Sequence, residues 1–168
     1  YAENDHHLDF YENLKENYRW MSLYANTKEE REQYKLKLRE LECKALIALK
    51  NGDKKRACDL LETADAKGNI PLLFFAARIL GENGRNQAAL DKYALIPDAS
   101  TYRIAVLLNK AELFAENGDS AKALALSRQA YEITPDIPEV QLCYADKLYK
   151  AGKLTLIPDV LILASSQK

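Results

Sequence analysis

Four glycines, Gly52, Gly84, Gly118 and Gly152, punctuate the chain at intervals of 32, 34 and 34 residues. A ladder of that regularity marks an array of short repeats and narrows the fold more than any other feature of the sequence. Each rung carries the same neighbours. Ala45, Ala77, Ala111 and Ala145 stand seven residues before the glycines, and Ala57, Ala89 and Ala123 stand five after them, with Ile157 breaking the second column. Small residues at both places let two antiparallel helices approach closely. A glycine between them ends the first helix by taking a left-handed backbone at little cost. The predicted unit is a helix, a tight turn and a second helix, four times over.

That unit resembles the tetratricopeptide repeat, a helix–turn–helix of about 34 residues. The third copy carries the resemblance best. Leu107, Ala111, Phe114, Gly118, Ala123, Ala130 and Pro135 fall where the family motif has large apolar, small, aromatic, glycine, small, small and proline residues. The second copy keeps Leu73, Ala77, Leu80, Gly84, Ala89 and Tyr93, and its second helix is expected to stop short before Pro97. The first keeps Leu41, Ala45, Ala57 and Ala64, and the fourth departs from the pattern beyond Gly152. The resemblance implies an all-α fold, a right-handed α-solenoid of stacked antiparallel hairpins with about nine helices and no strands. It divides the chain into a helical extension over 1–37 and four repeats over about 38–69, 70–102, 104–137 and 138–165.

Local signals place the helices. Tyr11, Leu14, Tyr18, Met21 and Ala25 recur at three- and four-residue spacing and share one helix face. Packing against the next helix accounts for this stripe better than a ligand-binding box does. Thr27 and Glu30 form a capping box that starts a helix running to about Lys50. Residues 5–50 thus read as a hairpin whose second helix doubles as the first helix of repeat one. Pro71, Pro138 and Pro158 suit the first turns of helices, where a missing N–H costs nothing.

Composition excludes several classes of function. Hydrophobic residues make up 48% of 168, enough for a folded core. With 24 basic residues against 25 acidic ones, the chain lacks the surplus of positive charge that binding phosphates requires, so nucleic acid is not an expected partner. No apolar run reaches the length of a transmembrane span. His6 and His7 are adjacent and point apart on a helix, so they make no ligand pair. No catalytic residue, metal or cofactor is expected, and the chain is not read as an enzyme. Cys43, Cys58 and Cys143 form an odd set, read as free thiols in apolar surroundings. Unpaired thiols lean towards the cytoplasm, with a bacterial periplasm left open. The chain starts at Tyr1, so it is read as a processed protein or a piece of a longer one.

The resemblance also implies a working surface, because in this family the first helix of each repeat lines a concave groove. The corresponding positions are Arg39, Glu42, Leu46 and Leu49, then Phe74, Phe75 and Arg78, then Leu108, Asn109, Glu112 and Glu116, and last Leu142, Asp146 and Tyr149. Phe74, Phe75, Arg78 and Tyr149 are the expected anchors, aromatic and arginine side chains being frequent hot spots. A solvated face with Phe75 tucked into the core is the competing reading. Relatives that clasp acidic C-termini carry a Lys, Asn, Asn, Lys, Arg clamp. Here those places hold Glu42, Leu46, Phe75, Ala105 and Asn109, or one repeat later Phe74, Arg78, Asn109, Glu139 and Cys143. Only Asn109 agrees, and the acidic end at Glu112 and Asp146 repels carboxylates.

The expected function is therefore a protein–protein interaction scaffold. It holds a peptide or helix that is basic or apolar rather than acidic, and performs no chemistry. The alternative is an assembly, oligomerisation or sensor segment of a larger bacterial protein for envelope export or signalling. That reading uses the convex face or the apolar last helix. Val160, Leu161, Ile162 and Leu163 make this helix apolar nearly all round, and a solenoid end needs cover. More of the native chain is the first expectation and a second copy, in a homodimer, the other.

Overall fold

The computed structural model describes residues 28–165, with side chains described as far as Leu161. Among the described residues there are eight α-helices, one 3-10 turn and no strand. The helices are α1 (Lys28–Lys50), α2 (Lys54–Thr63), α3 (Ile70–Glu82), α4 (Asn86–Ala94), α5 (Arg103–Glu116), α6 (Ser120–Ile133), α7 (Pro138–Lys150) and α8 (Ile157–Ser165), the 3-10 turn Leu154–Leu156 preceding α8. The ninth expected helix, with the stripe from Tyr11 to Ala25, the two histidines and Thr27, lies outside the described residues.

The turns explain the pairing. Gly84 and Gly118 adopt φ of 79° and 82°, a left-handed conformation that side chains rarely tolerate. The reversal brings the Arg85 N–H onto the Leu80 carbonyl and the Asp119 N–H onto the Phe114 carbonyl, each at 2.9 Å, satisfying the end of the first helix. Asp53, Asn69 and Asp119 then cap the helices that follow, accepting from the N–H groups of Arg56, Leu72 and Lys122 at 3.0, 3.2 and 3.1 Å. Pro71 and Pro138 sit in the first turns of α3 and α7. Connections this short leave paired helices no arrangement but an antiparallel one.

Packing divides the chain at the Ile96–Pro97 bond into two compact units. In the first unit, α1 turns Leu38, Leu41, Ala45 and Ala48 inward, and α2 answers with Ala57, Cys58, Leu60 and Leu61. Helix α3 is buried over more of its circumference, with Leu72, Leu73, Ala76, Ala77, Ile79 and Leu80 all inside. Each such leucine contributes about 1.5–3 kcal/mol by leaving water. Ala45, Ala57, Ala77 and Ala89 have no exposed surface at all, so the two alanine columns are the places of closest helix approach. Helix α4 is short and stops at Ala94, ahead of Pro97.

The connector between α2 and α3 is held as firmly as the helices. Ala64 and Ala66 are 3% and 1% exposed. Lys92 of α4 donates to the Ala64 carbonyl, and the Tyr34 hydroxyl of α1 donates to the Asp65 carbonyl at 2.8 Å. Burial, with the Asp65 charge adding to it, pushes the Tyr34 phenol up to about 12.

In the second unit, Leu107, Ala130 and Val140 form the centre, with Ile104, Leu108, Leu126 and Tyr131 packed on it. Tyr131 and Tyr144 stack with ring centroids 5.2 Å apart. Buried polar groups are satisfied, as they must be to avoid a desolvation penalty. Gln141 donates to the Pro135 carbonyl at 2.6 Å, and the buried Ser127 hydroxyl donates to the Leu124 carbonyl at 2.9 Å. Val160 of α8 is only 5% exposed, so it packs inward and does not belong to an open apolar face. Leu161 is half-buried, and the side chains of Ile162 and Leu163 lie outside the described residues. The exposed apolar groups at this end are Leu154 and Leu156 of the 3-10 turn.

Candidate functional site

The residues read as groove-lining come from the first helices of the hairpins: α1 and α3 in the first unit, α5 and α7 in the second. In the first unit Arg39 and Leu46 are exposed, while Glu42 and Leu49 are half-buried. Phe74 and Phe75 are both half-buried, and Phe74 sets its ring edge-on to Tyr93 of α4, centroids 6.2 Å apart. Part of that aromatic surface is therefore spent inside its own hairpin. Burial pushes the Tyr93 phenol up to about 12, against a smaller lowering by Arg78. Arg78 is exposed, and its Nε stands 3.8 Å from Glu82, a loose pairing that leaves the guanidinium free to be recruited.

The second unit offers the more open surface. Leu142 and Tyr149 of α7 are 63% and 66% exposed, and Asp146 lies between them on the same face. Asn109 is half-buried, and Glu112 is exposed. Glu112 and Asp146 do not make a simple acidic end, because Lys147 stands between them. Its side chain is 2% exposed, and its Nζ donates to Glu112 Oε1 at 2.6 Å and to Asp146 Oδ2 at 2.9 Å. Lys150 adds a second ammonium 2.9 Å from the same Asp146 oxygen. Burial pulls the Lys147 ammonium towards neutrality, and the hydrogen bonds to Glu112 and Asp146 outweigh it, so its pKa is raised. The hydrogen bonds from Lys147 and Lys150 hold the Asp146 carboxyl below its usual range. Cys143 lies beside this group, and burial pushes its thiol up to about 11, Lys147 pulling the other way.

A hub of this kind was not among the residues singled out from the sequence, yet the register carries a signal for it. Five residues before the ladder glycines stand Ile47, Ile79, Leu113 and Lys147. Lys147 occupies an otherwise apolar column and is as buried as two of its members, 3% exposed against 7% for Ile79 and 5% for Leu113, while Ile47 in the first hairpin is exposed. Arg85 was missed in the same way. It stands at the N-cap of α4 without capping it, and its guanidinium reaches back to Asp59 and Glu62 of α2.

Beneath the hub lies a cleft of about 270 Å³ formed by α5, α6 and α7, with Glu112, Glu116, Ser120, Lys147 and Lys150 in its walls. No group of three or more His, Cys, Asp or Glu side chains among the described residues is placed to hold a metal ion. Among the described residues, no helix is long and apolar enough to cross a membrane.

No family model matches the chain, and no curated protein matches it. Solved structures do. TPR-like repeats of a Podosopora anserina protein assigned to the kinesin light chains superpose with a TM-score of 0.61 at 18% identity, covering 95% of this chain and 94% of that one. A single-substitution variant of the same repeats gives the same score and identity, over 95% and 93%. The chain has a tetratricopeptide-type fold of the α-solenoid class.

Proposed function

We propose that this chain is a protein-interaction scaffold, holding a segment of a partner against the first helices of its hairpins and performing no chemistry on it. The observation that carries this reading is the exposure of Leu142 and Tyr149, at 63% and 66%, on a helix whose other face is fully packed. Large apolar side chains kept in water along one helix face are what a partner can bury. Leu46 on α1, 46% exposed, is the counterpart in the first unit. The partner proposed for this surface is apolar with basic character, to be met by the exposed Leu142 and Tyr149 and by the exposed carboxylates of Glu112 and Glu116. The test is cross-linking capture from source cells with the parent and with an Arg78→Ala, Leu142→Ala, Tyr149→Ala variant of unchanged circular dichroism. A partner held by the parent and lost by the variant supports the reading, and equal capture by both overturns it.

Leu154 and Leu156, 54% and 46% exposed, favour a second reading in which this end assembles with another protein or another copy. Sedimentation of the parent against a Leu154→Ser, Leu156→Ser variant decides it: a concentration-dependent complex abolished by the substitutions is the expected result. A cytoplasmic location accords with the three free thiols.

A further inference from the structure

We propose that the outward face of α1, a stripe of Leu36, Cys43 and Ile47, binds a second copy of this chain as an antiparallel helix pair. The proposal concerns the first unit and does not depend on the scaffold reading.

Helix α1 carries two apolar stripes. Leu38, Leu41, Ala45 and Ala48 are buried in its hairpin. Leu36 and Ile47 are 68% and 58% exposed, and Cys43 is exposed between them. At about 3.6 residues per turn these three fall within roughly 40° of one another, on the far side of the helix from the buried four. The register shows that this exposure is exceptional. Five residues before the later ladder glycines, Ile79, Leu113 and Lys147 are 7%, 5% and 3% exposed. Nine before them, Phe75, Asn109 and Cys143 are half-buried. Columns that are covered in α3, α5 and α7 are bare in α1. A repeat array leaves such columns bare at an end where a further element can add.

Charge decides what adds. A two-fold interface brings residue i of one copy to residue j of the other, and j to i. Antiparallel pairing with Leu36 level with Ile47 of the second copy makes that apolar contact twice. The same register sets Glu40 within about one residue of the other copy's Lys44. Glu40 and Lys44 lie along one edge of the stripe, 2.6 Å apart within the helix, so each copy turns an acid to the other's base. Glu32 and Lys50 lie along the opposite edge, both exposed, and each Glu32 comes beside the other copy's Lys50. A partner helix of one charge sign would satisfy one member of each pair and repel the other, whereas the reversed copy satisfies all of them.

Cys43 gives the arrangement its own ruler. At the interaxial distance of packed helices, about 8–10 Å, the two Cys43 Cα atoms stand roughly 6–7 Å apart. Contact along one helix is at the small end of protein interfaces, so the dimer is a micromolar one, and the dilute chain presents Cys43 to reagents.

The test uses the whole 168-residue chain. Sedimentation through the micromolar range is expected to show a monomer–dimer equilibrium. A short bis-maleimide is expected to join two chains where the dimer forms, and to join none in Cys43→Ser. Ile47→Asp, at an exposed position, is expected to weaken the dimer at least about tenfold with unchanged circular dichroism. Glu40→Lys and Lys44→Glu should each weaken it about tenfold through like-charge contact, and an equimolar mixture of the two should dimerise as the parent does. A monomer at every concentration overturns the proposal, whether its Cys43 reacts with a single maleimide, as on a bare face, or resists it, as beneath residues 1–27. A dimer that survives Ile47→Asp overturns it too, as does one lost in Leu154→Ser, Leu156→Ser. Capture of a partner through Leu142 and Tyr149 is read separately, so either result leaves the scaffold reading to its own test.

Discussion

Replacing Lys147 by methionine should be nearly harmless, whereas neutralising the two acids that hold it should be severe. In Lys147→Met the buried stem stays filled, and the carboxylates left behind have side chains 52% and 42% exposed, open to water. Asp146 also keeps Lys150. The lost attraction is offset by removing an ammonium from a dry site, so the net change should stay below about 1 kcal/mol. In Glu112→Gln, Asp146→Asn the ammonium remains 2% exposed with only neutral acceptors. Breaking a buried pair from this side costs roughly 3–5 kcal/mol, reduced to about 2–4 because the amides still accept hydrogen bonds. In urea, with a slope of about 2 kcal/mol per molar, the midpoint should move by roughly 1–2 M for the double variant and by under about 0.5 M for Lys147→Met. The pH response should differ in sign. In the parent the Lys147 pKa is raised, so its contribution is complete below the ordinary lysine value of about 10.4 and is lost only as pH climbs through the raised value. In the double variant, burial without anions lowers it, the unfolded chain binds more protons, and stability rises with pH up to about 10.4. A Lys147→Met variant less stable than the double variant would refute the reasoning, because the cation itself would then be the source of stability.

Arg85→Ala removes the guanidinium that joins α4 to Asp59 and Glu62 across partly exposed ground, and should cost about 1 kcal/mol, lowering the melting temperature by about 2–4 °C. Calorimetry at low and high salt checks this, since the deficit should shrink as salt screens the parent. Gly118→Ala should cost about 1 kcal/mol or more from backbone strain alone, because φ is 82° and an added Cβ would meet no atom within 4 Å. Gly118→Asn, more tolerant of that conformation, should recover part of the loss in the same denaturation assay. A disulfide reagent at neutral pH should consume the exposed Cys43 quickly and the other two thiols slowly, Cys58 being buried and Cys143 raised to about 11. Fast reaction of all three would mean that both units open readily, Cys58 lying in the first and Cys143 in the second.

Local signals in the sequence were read closely. The helix expected to run to about Lys50 ends there, and Pro71, Pro138 and Pro158 all fall in first turns. The short second helix before Pro97 is short because the chain must leave the helix ahead of a proline. Whatever depended on two distant segments meeting was harder to read. Phe74 looks like a groove anchor until Tyr93, 19 positions on, is found against its ring. Glu112 and Asp146 look like an acidic end until Lys147, 35 positions after Glu112, is found between them. Val160 shares an apolar run with its neighbours, and only the packing of α8 shows that it turns inward. Register tells which column a residue occupies, whereas partners depend on how the helices cross.

The connector over Ala64–Ala66 has a consequence for how such an array can be altered. The Ala64 and Ala66 side chains are sealed from solvent and the Ala64 and Asp65 carbonyls are tied to Lys92 and Tyr34, which leaves no slack for an added residue. One inserted there would release both tethers at once and throw α3 out of phase with α2. At the Gly52 turn, residues 50–56 are all exposed, and a graft would disturb little. Evolution or an engineer wishing to lengthen this protein, or to splice a tag or second domain into it, should therefore find the Gly52 bend permissive and the link between the first two hairpins closed.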